Sequence, residues 1–197
     1  PLLMCALAFL LHYLDNAVRT PEEAEKLLGL PVASVIPMSR AHNLARHSQS
    51  EPLAVSYQIV ADNVWRIAEQ TGRNTFMVAS AEPGNGRTIT AANLAVMLAK
   101  DGARVILVDT DLRRPRLHAV FGLNNKTGLT NILAGGASIE EVIIPTKVEG
   151  LLLLASGPQP DNPVRLLRSA KMQEFVSEAS QLADIVIFDS PAGVAFA

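Results

Sequence analysis

The residues best suited to chemistry form a glycine-rich stretch, AEPGNGRT, at residues 81–88. Gly84 and Gly86 allow backbone conformations that are closed to other residues, so the N–H groups of this stretch can point inward at an anion. The N-terminus of the following helix adds positive electrostatic potential. Thr88, at the start of that helix, can place its hydroxyl on a magnesium ion. The stretch predicts a phosphate-binding loop, and a tight surface turn is the alternative.

Two positions in this stretch depart from the usual pattern of a phosphate loop. Ala81 replaces the first glycine, and Arg87 replaces the lysine. Arginine and lysine are not interchangeable at a site fitted to a compact ammonium, because the guanidinium is larger and planar. The loss of one charge-assisted contact would cost about 1.5–3 kcal/mol. We expect nucleotide binding to tolerate that cost better than efficient transfer of a phosphoryl group.

Three carboxylates follow two apolar strands that lie further along the chain. Asp109 and Asp111 end the stretch RVILVDTD, and Asp189 follows IVIF near the end of the sequence. Because functional groups gather at the carboxyl edge of a parallel sheet, we expect all three beside the phosphate loop. They would repel one another there unless a cation lay among them, and Mg²⁺ prefers one or two carboxylates plus phosphate. The alternative is that Asp109 and Asp111 only cap a loop.

The elements that must position these residues alternate between strand and helix. Strands are predicted over residues 75–80, 104–111, 151–156 and 184–190, and helices over residues 53–70, 88–100 and 163–182. Continuous apolar strands separated by helices predict a parallel sheet that is covered on both faces. The expected fold is therefore a doubly wound α/β domain with three layers, of the P-loop NTPase class.

The sequence before this domain begins with an apolar run, PLLMCALAFLLHYL, at residues 1–14. It is shorter than the ~20 residues needed to span a bilayer, so we interpret it as the C-terminal part of a transmembrane helix. A buried core helix and a signal-peptide core are the alternatives. Residues 15–52 are predicted to be a juxtamembrane segment and linker, with a short helix capped by Thr20. Residues 53–197 are the predicted nucleotide-binding domain, incomplete at its C-terminus.

Composition argues against several other classes of protein. The net charge of −2 provides no basic field for nucleic acid, and the low aromatic content of 5% disfavours base stacking. The single cysteine, Cys5, rules out a disulfide framework or a cysteine-ligated metal site within the chain.

In these motifs the chain resembles the bacterial tyrosine kinases (BY-kinases) of capsule and exopolysaccharide assembly, with their chain-length-determinant membrane module. The matching stretches are RTPEEAEKLLGLPVASVIP, ASAEPGNGRTITAANLAVMLAKDGARVILVDTDLRRPRLHAVFGL, GLTNILAGGASIEEVI, ASGPQPDNPVRLLRS and IVIFDSPAG. The resemblance implies a domain that binds Mg-ATP on the cytoplasmic face of the bacterial plasma membrane. It would transfer the γ-phosphoryl group to tyrosines, chiefly on neighbouring copies of itself, alongside the polysaccharide polymerase and export machinery.

The resemblance also implies roles for individual residues. Catalysis would depend on Arg87, Asp109, Asp111 and Asp189. The nucleotide would contact Gly84, Asn85, Gly86, Arg87, Thr88, Ile89 and Arg113. Magnesium would be held by Thr88, Asp111 and Asp189. Asp109 would help to deprotonate the incoming tyrosine hydroxyl, whereas Arg113 has a second interpretation as part of a solvated loop.

Some positions depart from the family pattern. Val55, Gln58 and Ala61 stand where these kinases usually have Glu-x-x-Arg-x-x-Arg, a pattern that helps subunits to form a ring, and Arg165 replaces a usual acidic residue. These departures, with Arg87, motivate a second hypothesis, a catalytically silent nucleotide-binding regulator of polysaccharide chain length. A third hypothesis is a partition or division-site ATPase of the related deviant-Walker group, which needs a lysine near Glu82 and Pro83.

Overall fold

The computed structural model describes residues 18, 20–37, 44 and 51–193. The chain forms two compact units, residues 1–35 and residues 36–197. The predicted transmembrane segment, residues 1–14, lies outside the described residues, and the predicted division of the chain stays a prediction. Within the described residues, no helix combines the length and the apolar character needed to cross a membrane.

The described part of the first unit contains one helix, α1 (Pro21–Leu28). The backbone N–H of Glu23 donates to the Thr20 hydroxyl over 3.2 Å, which confirms the predicted N-cap. The helix ends at Gly29, whose φ of 64° is the left-handed conformation favoured by glycine. The Glu25 carboxylate then accepts a hydrogen bond from the N–H of Val32 over 2.9 Å, which fixes the turn that follows.

The second unit is built on a five-stranded sheet. Its strands are β1 (Thr75–Val78), β2 (Val105–Asp109), β3 (Ile144–Pro145), β4 (Leu151–Leu154) and β5 (Ile185–Asp189). Its helices are α2 (Glu51–Thr71), α3 (Arg87–Lys100), α4 (Leu117–Phe121), α5 (Leu129–Leu133), α6 (Ile139–Val142), α7 (Pro163–Leu167) and α8 (Ala170–Leu182). The strand order is β1-β5-β2-β4-β3.

The sheet is mostly parallel, as predicted, with one exception. β1, β5, β2 and β4 run parallel, whereas β3 pairs antiparallel to β4. β3 was not predicted, because two residues give no periodic signal and Pro145 lacks a backbone donor. A proline in a strand is tolerated at the edge of a sheet, where β3 lies.

Helices cover both faces of this sheet. Along β2, Val105 and Leu107 join the core cluster that includes α2 and α3, whereas Ile106 and Val108 join the cluster that includes α5 and α8. This alternation arises because successive strand residues point to opposite faces. Since both faces of β2 are buried, its sequence is a continuous apolar run. The predicted three-layer, doubly wound arrangement is confirmed.

The predicted helix over residues 53–70 is confirmed as α2. Its buried face carries Leu53, Tyr57, Ala61 and Val64. The exposed apolar side chains of this helix are Val55, Ile59, Trp65 and Ile67. Ala61 belongs to the same core cluster as the buried residues of α3, and the Tyr57 hydroxyl donates to the Thr90 hydroxyl over 3.4 Å. Trp65 is 38% exposed.

Two further elements correct the predictions. The helix predicted over residues 163–182 is two helices, because the Ser169 hydroxyl accepts from the N–H of Met172 and starts α8. Asn162 caps α7, because its side-chain Oδ1 accepts from the N–H of Arg165 over 3.0 Å. β1 has the sequence of a buried strand, yet in the described sheet it lies at an edge and Met77 is 67% exposed.

Phe175 is the aromatic anchor of α8 on the sheet. It is 1% exposed, and its ring meets Phe188 of β5 edge-to-face with centroids 6.3 Å apart. We expect Phe175→Ala to lower the free energy of unfolding by about 3–5 kcal/mol, because it leaves a cavity in the core. Urea denaturation measures this effect. Leu182→Ala, on the exposed end of the same helix, is the control and should cost less than about 1 kcal/mol; equal losses would contradict the prediction.

Candidate functional site

The glycine-rich loop joins the carboxyl end of β1 to the N-terminus of α3. Gly84 and Gly86 have φ of 90° and 75°, and an added Cβ at either would meet no atom within 4 Å. Glycine is therefore needed here for its backbone conformation and not for close packing. The loop is anchored at its start, because the Ser80 carbonyl accepts from the N–H of Gly193 over 2.9 Å. This is the geometry expected of a loop that binds phosphate.

Arg87, the first residue of α3, turns back toward the ends of two strands. Its Nε donates to Asp189 Oδ1 over 2.9 Å, and its Nη2 donates to Asp111 Oδ2 over 3.1 Å. Its Nη1 lies 3.4 Å from the Ser80 hydroxyl. The Arg87 side chain is only 9% exposed. The resemblance implies that Arg87 contacts the nucleotide, and this contact stays a prediction. In the structure the Arg87 guanidinium lies between two carboxylates.

Asp189 and Asp109 lie side by side because the register of β2 and β5 pairs them. Asp189 is buried, and its Oδ2 has no hydrogen-bond partner within the described residues. Burial raises the pKa of Asp189, whereas the nearby Thr88 hydroxyl and Arg87 guanidinium act to lower it. The Thr110 hydroxyl donates to the Asp189 carbonyl over 2.7 Å and holds the ends of the two strands together.

Asp109 is fully buried and organises the loop that follows β2. Its Oδ1 accepts from the N–H of Asp111 over 3.2 Å, and its Oδ2 accepts from the N–H groups of Arg116 and Leu117, each at 3.1 Å. Desolvation by burial raises the pKa of Asp109 to about 7, despite these backbone hydrogen bonds, and the charge of Asp189 raises it further. At neutral pH the carboxyl is poised between its two protonation states.

Asp111 is more accessible than Asp109 and Asp189, and its side chain is 16% exposed. Its Oδ1 accepts from the N–H of Arg114 over 3.1 Å. Asp109 and Asp111 thus both hold the loop of residues 110–116, which is the capping role that we left open as an alternative. The same loop carries Arg113, which is exposed.

The remaining predicted residues lie on the loop and on the first turn of α3. Asn85 is exposed at the tip of the loop, and Thr88 and Ile89 are half-buried. The structure therefore gathers all the predicted site residues at one edge of the sheet. Their roles stay predictions. Sequence reasoning missed Ser80 and Thr110 as residues of this site. The available signals were the position of Ser80 just before the loop and the position of Thr110 between Asp109 and Asp111.

The donor set at this edge is chemically suited to Mg²⁺. Thr88, Asp111 and Asp189 present hard oxygen atoms, and the buried Asp189 Oδ2 has no hydrogen-bond partner in the described part of the chain. Among the described residues, no group of three or more His, Cys, Asp or Glu side chains is arranged to hold a metal ion. A magnesium ion here would therefore depend on oxygen atoms from a bound phosphate as well, which is its usual preference.

A separate groove of about 280 Å³ lies at the opposite end of the sheet. It runs along the amino ends of β2 and β4 and includes Arg104, Glu149 and Leu182. It contains none of the predicted site residues. The predicted site residues lie instead at the carboxyl edge of the sheet, where this fold gathers functional groups.

Comparison with known proteins places this chain in a family. The family model described as "AAA domain" matches residues 74–195. The chain is 39% identical over 147 residues to the tyrosine-protein kinase YwqD of Bacillus subtilis (strain 168), a match that covers 73% of this chain. The chain spans 62% of the length of that relative.

Solved structures agree with the sequence matches. The kinase domain of the Escherichia coli tyrosine kinase ETK superposes with a TM-score of 0.81 at 28% identity, covering 91% of this chain and 76% of that one. The septum site-determining protein MinD of Pyrococcus horikoshii OT3, complexed with Mg-ADP, gives a TM-score of 0.54 at 30% identity, covering 61% of this chain and 49% of that one. The likeness to the kinase domain is thus closer and more extensive than the likeness to the division-site protein. The chain belongs to the AAA-domain family and, within it, to the bacterial tyrosine-protein kinases.

Proposed function

We propose that this chain forms the ATP-binding catalytic domain of a membrane-anchored tyrosine autokinase that regulates exopolysaccharide or capsule biosynthesis. One observation carries the proposal: a glycine-rich loop, a helix N-terminus and three carboxylates meet at one sheet edge, in a relative of tyrosine-protein kinases. The partners would be ATP, Mg²⁺, further copies of the chain and the polysaccharide polymerase and export machinery. The location would be the cytoplasmic side of the bacterial plasma membrane.

Phosphate binding would depend on the loop and on α3. The N–H groups of residues 84–88 and the positive end of the α3 dipole favour a polyphosphate. Thr88, Asp111 and Asp189 are the residues that would hold Mg²⁺, which supplies neutralisation of phosphate charge when it is bound. Phosphoryl transfer depends mainly on such positioning and charge neutralisation.

Asp109 would accept the proton of the incoming tyrosine hydroxyl. A pKa of about 7 matches a general base that works near neutral pH. Asp109 has no exposed surface, so the loop of residues 110–116, which it holds by backbone hydrogen bonds, must shift before a tyrosine can reach it. The proposal therefore includes an opening of this loop.

The acceptor tyrosine would lie outside the described residues or on another protein. Within the described residues the one tyrosine is Tyr57, which is 2% exposed and packs between α2 and α3. A buried side chain cannot enter the site of a neighbouring copy without unfolding of α2.

A silent nucleotide-binding regulator is the second candidate, and the position of Arg87 favours it. Its guanidinium contacts Asp111 and Asp189, the carboxylates that would hold Mg²⁺, and not the glycine-rich loop. A site closed in this way could bind nucleotide without transferring phosphate.

The first test is titration of the protein with a fluorescent ADP analogue in the presence of Mg²⁺. We expect binding that Thr88→Ala weakens about tenfold, because it removes one hydrogen-bonding hydroxyl from the site. Thr71→Ala, which alters an exposed hydroxyl at the end of α2, is the matched control and should leave the affinity unchanged.

The same experiment separates the two candidates when it is followed by incubation with γ-labelled ATP. Binding together with label on tyrosine supports the kinase. Binding without any transfer of label supports the silent regulator. Absence of binding in the wild-type protein would contradict both.

A further inference from the structure

Arg87 occupies a position in which it neutralises two carboxylates from different strands. Its Nε lies 2.9 Å from Asp189 Oδ1, and its Nη2 lies 3.1 Å from Asp111 Oδ2. The three side chains are 9%, 1% and 16% exposed, so solvent screens these ion pairs only weakly. Charge-assisted hydrogen bonds in such surroundings are among the strongest in proteins.

The guanidinium uses the oxygen atoms that a divalent cation would need. Mg²⁺ binds through one or two carboxylates at short, near-octahedral distances. With Asp189 Oδ1 and Asp111 Oδ2 both engaged by Arg87, only the second oxygen of Asp189 is left without a hydrogen-bond partner in the described chain. A cation could take both carboxylates only after Arg87 has moved away.

The planar shape of the guanidinium makes this arrangement specific to arginine. Its Nε and Nη2 are separate donors held in one rigid plane, so a single side chain contacts Asp189 and Asp111 at the same time. A lysine ammonium is a compact point charge that lacks this fork. Lysine at position 87 would leave at least part of the carboxylate pair available to a metal ion.

We propose that Arg87 is a built-in competitor of the divalent cation, so that this site binds the phosphates of a nucleotide with little assistance from Mg²⁺. The proposal rests on the proposed function for its nucleotide, but the competition between Arg87 and a cation is a property of the protein alone. Mg²⁺ can take the two carboxylates, as the proposed phosphoryl transfer requires, only after Arg87 has left them. The glycine-rich loop and the N-terminus of α3 remain free to contact the phosphates.

The competition is tested with the metal alone. Mn²⁺ accepts the same oxygen ligands as Mg²⁺ and is detected by electron paramagnetic resonance. We expect nucleotide-free Arg87→Met and Arg87→Lys proteins to bind Mn²⁺ at least about tenfold more tightly than the wild type. Adding Asp189→Asn to either variant should abolish the gain. Arg104→Met, which breaks the exposed Arg104–Asp184 ion pair at the other end of β2, should not change Mn²⁺ affinity.

Titration with the fluorescent ADP analogue, in excess Mg²⁺ and in excess chelator, completes the test. We expect the wild-type affinity to change less than about threefold and the affinity of Arg87→Lys to improve at least about tenfold with Mg²⁺. Equal Mn²⁺ affinities in all proteins, or an equal Mg²⁺ effect in wild type and Arg87→Lys, would overturn the proposal. Nucleotide binding by the wild type would still leave the proposed function standing. Conversely, the expected Mn²⁺ result without nucleotide binding would overturn the proposed function alone.

Discussion

Asp109→Asn should slow tyrosine phosphorylation by about 10²–10⁴-fold, the range that a general base contributes. The substitution keeps the size of the side chain but removes its ability to accept a proton. The wild-type rate should rise with pH and level off above about 7, the pKa to which burial raises Asp109. This prediction is tested by measuring the initial rate of label transfer from γ-labelled ATP at a series of pH values below and above that pKa.

The matched control is Asp184→Asn, at the other end of the sheet. Asp184 pairs with the exposed Arg104 and lies far along β5 from the loop. It should retain the wild-type rate and pH profile. A pH profile that Asp109→Asn leaves unchanged would remove Asp109 from the role of base.

The stability of the protein should fall as pH rises toward neutrality, by about 4 kcal/mol from Asp109 alone. Its folded-state pKa is raised from 3.8 to about 7, so protonated Asp109 stabilises the fold. This contribution is complete below pH 3.8, is lost progressively as the pH rises toward 7, and is constant above that. Three pKa units at 1.36 kcal/mol each give the stated size. The raised pKa of Asp189 acts in the same direction.

Urea denaturation of wild type and Asp109→Asn at a series of pH values measures this contribution. The difference between their unfolding free energies should shift in favour of the variant as the pH passes through the titration of Asp109. A difference that stays constant with pH would show that the buried carboxyl does not change its pKa on folding. Comparing the two proteins cancels the titration of all the other groups, provided that they do not couple to Asp109.

The loop and the ends of the strands were predictable because each has a strong local signal. The glycines, the helix that follows and the three carboxylates identify a sheet edge without any knowledge of the strand order. The partners of Arg87 were not predictable in the same way. They depend on the position of β5 between β1 and β2. This position places Asp189 beside the loop, although Asp189 lies 102 residues after Arg87 in the chain.

The short elements were missed for a different reason. α4, α5 and α6 contain four or five residues each, too few for a helical period to be recognised. They are stabilised by their surroundings, as when Asp109 caps α4. The buried face of α2 could not be assigned from the sequence, because that helix has apolar residues on two faces. Packing in the core cluster with α3 buries the face that carries Leu53, Tyr57, Ala61 and Val64.

The central position of β5 also sets the order in which the domain can fold during synthesis. β1 and β2 do not pair with each other; each pairs with β5, which follows the other described strands along the chain. A nascent chain that has reached only α8 can pair β2 with β4 and β4 with β3, but β1 then has no partner among the described strands. The long loops that β5 must close are costly in entropy, which makes such pairings slow. The ribosome must therefore release residues 185–189 before Arg87 can meet Asp189 and the site can form.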